Sequence, residues 1–193
     1  SAEYGFGTQA YANFVFDNPS WDYHTFKLPV DLKRAEERAG KALDATDPNL
    51  SAFRGRGGKL ILYHGWSDAA IPPANTIQYY ESVMAKMGAE KTESFTRWFM
   101  VPGMQHCGGG PGPNIFGEGD GARSDAEHDI YAALERWVEQ GIAPAKIIAT
   151  KYKFDQNPKS GVVRTRPLCP YPQTAKYSGN GSIDDAANFV CAK

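Results

Sequence analysis

An alternation of short apolar runs and longer amphipathic segments, from residue 59 to residue 140, constrains the fold most strongly. Residues 59–64 (KLILYH) and 95–101 (FTRWFMV) are short and largely apolar, which is typical of strands buried in a parallel sheet. Residues 74–87 and 124–140 follow them, each with apolar side chains at helical spacing. This strand–helix–strand–helix order predicts an α/β fold with a parallel sheet and flanking helices.

The segments outside this pattern predict one more helix and one more strand. Residues 29–45 have apolar side chains at near-helical spacing, and residues 146–154 form a possible last strand. Residues 1–30 are rich in aromatic side chains without a sustained period, so an irregular segment is expected there. A Pro- and Gly-rich tail is expected after residue 154. A doubly wound domain needs about five strands, so the chain is predicted to be part of a larger domain.

Composition indicates a folded domain and argues against two classes of partner. Of the 193 residues, 41% are hydrophobic and 12% are aromatic, which is enough for a packed core. The net charge is -1 and no basic tract occurs, so no nucleic-acid partner is expected. No apolar run approaches the ~20 residues that a membrane span needs, so no membrane association is expected. The sequence begins with Ser1 rather than Met, and we expect it to be part of a longer protein.

Three cysteines, Cys107, Cys169 and Cys191, leave at least one without a partner inside the chain. Cys169 lies in a rigid, proline-rich stretch, residues 166–172, and Cys191 lies near the C-terminus. A disulfide between these two would close a loop of about 23 residues and add roughly 3 kcal/mol of stability. We therefore predict a Cys169–Cys191 disulfide and a secreted or periplasmic location, with three reduced thiols as the alternative.

Asp68 and His106 each lie a few residues beyond the end of a predicted strand. In open α/β sheets the carboxyl ends of the strands carry the functional residues. The order and spacing of these two side chains are those of the acid and the base in a Ser–Asp–His triad. The alternative is that Asp68 caps the following helix and His106 is an ordinary loop residue. The glycine-rich residues 102–121 are expected to form a mobile or tightly turned loop beside the histidine.

Other interpretations of the same region predict different chemistry. Ser67 lies in a sequence that resembles a nucleophile elbow, but the acid would then need its own strand before His106. His64 and Gly65 resemble an oxyanion-hole loop, which belongs nearer the start of such a domain. His106 and Cys107 have no second ligand pair at metal spacing, so no metal site is expected.

Several longer motifs resemble those of the tannase and feruloyl esterase family. Residues 57–68 (GGKLILYHGWSD), with residues 71–73 (IPP), are similar to the family's acid motif. Residues 99–112 (FMVPGMQHCGGGPG) are similar to its histidine motif. Residues 137–144 (WVEQGIAP) and 166–172 (RPLCPYP) are similar to its C-terminal signatures, so the resemblance covers most of the chain.

The resemblance implies an α/β-hydrolase fold and a division of the chain. Residues 1–50 would be the end of an inserted lid domain, and residues 51–193 would be the C-terminal part of the hydrolase core. Asp68 and His106 would be the catalytic acid and base, while the nucleophilic serine would lie upstream, in a segment or second chain outside this sequence. The family also joins the cysteine after the histidine, here Cys107, to a cysteine beside that serine. Catalysis would need no cofactor, and a structural calcium ion would lie in the missing part of the lid.

The implied activity is that of a serine carboxylic ester hydrolase. Family members hydrolyse esters of aromatic acids, such as feruloyl, galloyl or chlorogenate esters, so a small aromatic ester is the expected substrate. Ile71, three residues after the acid, is expected to line the acyl pocket, with a place in the core as the alternative. A non-catalytic carbohydrate- or polyphenol-binding module and an inactive hydrolase relic are the competing hypotheses. A binding module would not require an aspartate and a histidine at strand ends beside an unpaired cysteine.

Overall fold

The computed structural model describes residues 2–117, 123–155 and 157–193. Residues 118–121 of the predicted glycine-rich loop therefore lie outside the described residues. The chain divides into two compact units, one up to Asp47 and the other from Pro48 onwards. The sequence predicts a boundary close to this one, after residue 50.

The first unit is helical. Its first helix runs into a π-helical turn, and a second helical run follows after a short 3-10 turn. The elements are α1 (Ala2–Ala10), the π-helical turn Tyr11–Val15, the 3-10 turn Tyr23–Thr25, α2 (Val30–Ala35), the π-helical stretch Glu36–Gly40 and α3 (Lys41–Leu43). The helix predicted over residues 29–45 is confirmed, with a widened middle turn.

The irregular segment predicted for residues 1–30 is wrong over its first half, because residues 2–15 are helical. The aromatic side chains pack on one another instead of forming one stripe along a helix. Tyr11 stacks on Trp21 with ring centroids 5.6 Å apart, and Phe16 also stacks on Trp21, at 5.0 Å. Phe26 meets Tyr11 edge-on at 5.1 Å. Contacts at such mixed spacings leave no helical period in the sequence.

The second unit contains a pair of parallel strands. β1 (Leu60–Gly65) pairs in parallel with β2 (Thr96–Val101), so both strands end at the same edge. The helices of this unit are α4 (Ser51–Gly55), α5 (Pro73–Met87), α6 (Ala89–Glu93) and α7 (Ile130–Gln140). The α/β class and the two predicted strands are confirmed, and parallel pairing within the described residues is limited to β1 and β2.

α7 begins at Ile130, later than the sequence predicts, because Asp129 caps it. The Asp129 carboxylate accepts hydrogen bonds from the N–H groups of Tyr131 at 2.8 Å and Ala132 at 3.3 Å. These N–H groups have no partner inside the helix, so a side-chain acceptor defines the start. Residues 123–129 form turns instead of the predicted first helical turn.

The strand predicted over residues 146–154 is confirmed as β3 (Ile147–Tyr152), which pairs in antiparallel with β4 (Val162–Leu168). The Pro- and Gly-rich tail predicted after residue 154 contains β4 and a second antiparallel pair, β5 (Thr174–Tyr177) with β6 (Phe189–Ala192). The predicted Cys169–Cys191 disulfide is present, with Cα atoms 5.5 Å apart, and it joins the residue after β4 to β6. Pro170 and Pro172 lie between β4 and β5, where no ladder N–H is required.

The hydrophobic core of the second unit joins both parallel strands, the loop after β2, α7, β3 and β4. Its buried members are Phe99, Val101, Met104, Phe116, Ile130, Ala133, Ile147, Ala149 and Leu168. Ile61 and Tyr63 of β1 pack against this cluster. Met104 is only 1% exposed, so the segment that leads to His106 is anchored in the core. Within the described part of the chain, no helix has the length and apolarity to cross a membrane.

Candidate active site

The ends of β1 and β2 lie so close together that only glycine fits at position 65. A Cβ atom on Gly65 would lie 2.2 Å from the Met104 carbonyl oxygen, far inside contact distance. The Ser67 N–H donates to that same oxygen at 3.0 Å. The Trp66 N–H donates to the Val101 oxygen at 3.0 Å. These contacts fix the turn after β1 beside the loop after β2.

The structure brings the two predicted residues, Asp68 and His106, into contact. Oδ2 of Asp68 lies 2.9 Å from Nδ1 of His106. Oδ1 of Asp68 accepts hydrogen bonds from the backbone N–H groups of Ala70 at 2.8 Å and Ile71 at 2.9 Å. The Asp68 side chain is only 5% exposed. The carboxylate is therefore held at both oxygens in a site that water reaches poorly.

These hydrogen bonds keep the Asp68 carboxylate ionised. Burial alone raises its pKa, but hydrogen bonds from the Ile71 N–H, the His106 ring and the Ala70 N–H lower the pKa from 3.8 to about 2. An ionised carboxylate only accepts hydrogen bonds, so Nδ1 of His106 carries the proton between them. In the neutral ring, Nε2 is then the nitrogen with the lone pair.

The His106 ring is open on its Nε2 side. Its side chain is 55% exposed, and no described residue forms a hydrogen bond with Nε2. A neutral imidazole whose Nδ1–H is held by a carboxylate can take up a proton at Nε2 as a general base. The contact that the sequence predicts between Asp68 and His106 is therefore present, and their roles as acid and base stay a prediction.

The lowered pKa of Asp68 predicts how stability depends on pH. A group whose pKa is lower in the folded state stabilises the fold above its unfolded value, and this contribution is lost as pH falls through the folded value. The shift from 3.8 to about 2 places the loss between about pH 4 and pH 2. We expect Asp68→Asn to lower the thermal midpoint of the complete protein at pH 6, with the difference narrowing between pH 4 and pH 2. Thermal melts of both proteins test this, and a constant difference across that range would contradict it.

Two alternative interpretations of this turn do not fit the structure. α5 begins at Pro73, and no side chain caps its start, so Asp68 is not the cap of that helix. Residues 66–72 form no helix, so Ser67 does not stand at a strand-to-helix elbow. Among the described contacts, none joins the Ser67 hydroxyl to a histidine ring.

The glycine-rich loop is tightly turned where the structure describes it. A Cβ atom on Gly112 would lie 2.0 Å from the Pro102 oxygen, and one on Gly110 would lie 2.1 Å from the Gly103 oxygen. Nζ of Lys151 donates to the Gly110 carbonyl oxygen at 2.7 Å. The loop is thus held by backbone packing and by a lysine from β3. No sequence signal indicates the lysine contact, because its partner is a backbone oxygen far away in the chain.

Cys107 and Ile71 both lie at the surface of the second unit. Cys107 is an exposed free thiol with a left-handed backbone φ of 56°. This conformation costs a non-glycine residue on the order of 1 kcal/mol, so the loop imposes the orientation of the thiol. The Ile71 side chain is 44% exposed, so the core alternative does not describe it. No three His, Cys, Asp or Glu side chains of the described residues are grouped to hold a metal ion.

His64 belongs to the same cluster, and the sequence did not predict this. Its Nε2 lies 3.2 Å from Oδ2 of Asp68, and its side chain is only 11% exposed. The one available signal is its position at the end of a predicted strand, four residues before the acid. The sequence analysis considered His64 only because His64 and Gly65 resemble an oxyanion-hole loop, and that interpretation predicts no contact with Asp68.

Comparisons with known proteins identify the family. The family model for tannase and feruloyl esterase matches residues 5–192. The chain is 48% identical over 206 residues to an uncharacterized esterase of Xanthomonas campestris pv. campestris, across 95% of this chain and 36% of that protein. It is 47% identical over 148 residues to mono(2-hydroxyethyl) terephthalate hydrolase of Piscinibacter sakaiensis, across 77% of this chain and 22% of that protein.

The fold is also shared with a solved structure. The crystal structure of feruloyl esterase B from Aspergillus oryzae matches with a TM-score of 0.85 and 31% identity, across 97% of this chain and 37% of that one. The relatives are named as esterases and a hydrolase, and the solved one shares this fold. The chain belongs to the tannase and feruloyl esterase family. It spans between 22% and 37% of the length of these relatives.

Proposed function

We propose that the chain contributes the acid, Asp68, and the base, His106, of a serine carboxylic ester hydrolase. The observation that carries this proposal is the 2.9 Å contact between Oδ2 of Asp68 and Nδ1 of His106, at the ends of two parallel strands. The 55% exposure of the His106 side chain leaves Nε2 accessible to a nucleophile from outside the chain. Membership of an esterase family supports the same reaction class.

In the proposed reaction, the serine hydroxyl is hydrogen-bonded to Nε2 of His106. As the serine oxygen attacks the ester carbonyl carbon, its proton passes to Nε2, and Asp68 stabilises the resulting imidazolium through Nδ1–H. The tetrahedral intermediate then expels the alcohol, which takes the proton from Nε2. Water hydrolyses the acyl-enzyme by the same proton transfers. We assign the serine and the oxyanion donors to an upstream segment or a second chain.

We infer that the substrates are small esters of aromatic acids. Two apolar side chains flank the acid turn, with Trp66 51% exposed and Ile71 44% exposed. Apolar and aromatic walls with a few polar groups are typical of sites for small ligands, and an aromatic acyl group buries a large area on them. We assign Ile71 to the wall of the acyl pocket. Two relatives are named for esters of aromatic acids, terephthalate and ferulate, which supports this substrate class.

The remaining parts of the proposal concern the complete protein. Cys107 is proposed to form a disulfide with a cysteine next to the serine, which its exposure supports. The Cys169–Cys191 disulfide supports a secreted or periplasmic location. Residues 1–50 are proposed to be the end of an inserted lid, and residues 51–193 the C-terminal part of the hydrolase core. Catalysis is proposed to need no cofactor, and a structural calcium ion is assigned to the lid outside this chain.

A fluorophosphonate probe applied to the complete protein tests the assignment. We expect it to label one serine upstream of Ser1 and to block hydrolysis of methyl ferulate, because the probe reacts with a serine that a histidine activates. Peptide mapping by mass spectrometry locates the label, and the His106→Ala variant should remain unlabelled. Labelling of Ser67 with loss of turnover would contradict the assignment. Absence of both label and turnover would favour the inactive hydrolase.

A further inference from the structure

The Asp68 carboxylate contacts two histidines, and only one of them has a role in the reaction proposed above. The second, His64, lies near the end of β1. Its Nε2 is 3.2 Å from Oδ2 of Asp68 and 3.0 Å from the Ile71 carbonyl oxygen. Its Nδ1 is 2.7 Å from the hydroxyl oxygen of Thr76, in the first turn of α5. Every polar atom of the ring therefore has a partner.

These partners define where the protons of the His64 ring lie. A carbonyl oxygen accepts hydrogen bonds, so Nε2 carries a proton and donates to the Ile71 oxygen, while Oδ2 of Asp68 lies beside the same N–H at 3.2 Å. In the neutral ring Nδ1 is then an acceptor, and the Thr76 hydroxyl donates to it. The hydroxyl thus selects the tautomer of His64, as the Asp68 carboxylate does for His106.

We propose that His64 is a positioning residue for the catalytic acid, which it holds through Ile71: Nε2–H donates to the Ile71 carbonyl oxygen, and the Ile71 N–H donates to Oδ1 of Asp68. This inference rests on the proposed function. Oδ2 of Asp68 accepts from the His106 ring, and Oδ1 accepts from the backbone N–H groups of Ala70 and Ile71, so three donors hold the carboxylate and His64 fixes the turn that provides two of them. A carboxylate held in this way does not rotate away from His106.

The His64 ring also affects how strongly Asp68 stabilises a positive charge on His106. Nε2–H of His64 lies 3.2 Å from Oδ2, and its partial positive charge lowers the negative potential at that oxygen, so Asp68 stabilises the His106 imidazolium less than it would without His64. Among the described residues, the ionisable groups that face His64 are Asp68 directly and His106 on the other side of Oδ2. No other charged side chain within that part of the chain contacts the ring.

The test compares His64→Phe with His64→Gln in the complete protein. Phenylalanine keeps a ring but has no donor, so we expect kcat to fall by about tenfold to a hundredfold with KM nearly unchanged. The acid limb of the pH profile of kcat/KM should also move to higher pH, because the N–H of His64 no longer lies beside Oδ2. Glutamine can donate to the Ile71 carbonyl oxygen and accept from Thr76, so it should recover most of kcat and the wild-type limb. A role in folding alone would not move the pH profile.

A second pair of variants tests the same inference if His64→Phe does not fold. Thr76→Val removes the hydroxyl that selects the tautomer, and we expect a several-fold fall in kcat that Thr76→Ser restores. Equal kcat and equal acid limbs in wild type and His64→Phe would overturn the inference, as would equal kcat in Thr76→Val and Thr76→Ser. If His106→Ala keeps full turnover, the proposed function itself fails. If His106→Ala is inactive while His64→Phe behaves like wild type, only the role of His64 fails.

Discussion

Replacement of His106 by alanine in the complete protein is expected to lower kcat by about a millionfold, with little change in KM. The base is lost, while the apolar surface that would bind the substrate stays in place. Asp68→Asn is expected to lower kcat by about ten thousandfold, because an amide can hold the wrong tautomer of the imidazole. Steady-state kinetics with methyl ferulate measure both effects, and circular dichroism checks that the variants are folded.

His128→Ala is the matched control for these variants. Nδ1 of His128 lies 2.7 Å from Oδ1 of Asp125, so these two residues form another close histidine–aspartate pair. That pair lies in the turns before α7 and not at the ends of the parallel strands. We expect His128→Ala to keep wild-type kcat. Wild-type turnover in His106→Ala, or an equal loss in both variants, would contradict the assignment of the base.

Cys107→Ala in the complete protein is expected to lower kcat by about tenfold to a hundredfold and to leave KM nearly unchanged. Gly110 and Gly112 are held by close backbone contacts, and Met104 is buried. Between these anchors, the His106 side chain is 55% exposed and Cys107 is exposed, so few contacts restrain the base. A disulfide to the nucleophile-bearing segment would provide this restraint, and a displacement of about 1 Å can cost a hundredfold in rate.

The double variant Cys169→Ala/Cys191→Ala separates this effect from a general loss of stability. Removal of that disulfide is expected to lower the free energy of unfolding by roughly 3 kcal/mol, since the loop it closes is of moderate length. The bridge lies between β4 and β6, so kcat should be retained at low temperature. Wild-type turnover in folded Cys107→Ala would mean that the thiol only packs. If the double variant loses turnover and Cys107→Ala does not, the kinetic effect belongs to the Cys169–Cys191 disulfide and not to Cys107.

The contact between Asp68 and His106 could be predicted because each residue follows a strand that is recognisable in the sequence, and parallel pairing brings the ends of those strands together. Each residue comes after an apolar run, and parallel strands bring the residues beyond their carboxyl ends to the same edge of the sheet. The Cys169–Cys191 pairing could be predicted for a similar reason, since an odd count and a rigid proline-rich segment left few useful combinations. In both cases a feature that is visible in the sequence, a strand end or a rigid segment, also determines which residues meet in the fold.

The rest could not be predicted because its determinants are contacts between distant residues. β4 to β6 occur in a segment rich in proline and glycine, and their pairing depends on partners chosen in three dimensions. The helical start of the chain could not be predicted because its aromatic residues pack in a cluster and are not spaced at helical intervals in the sequence. The contacts of His64 with Thr76 and of Lys151 with Gly110 join side chains to groups that carry no signal in the sequence.

The segment after the C-terminal disulfide has a further consequence for β2, the strand that leads to the base. Phe99 pairs with β1 on one side and forms an antiparallel bridge with Pro170 on the other, and the Tyr171 N–H donates to the Trp98 oxygen at 2.7 Å. Part of the second edge of β2 is thus covered. Uncovered apolar edges pair with strands of other molecules. We therefore expect reduction of the disulfide at Cys169 to loosen the segment that covers this edge of β2 and to favour aggregation.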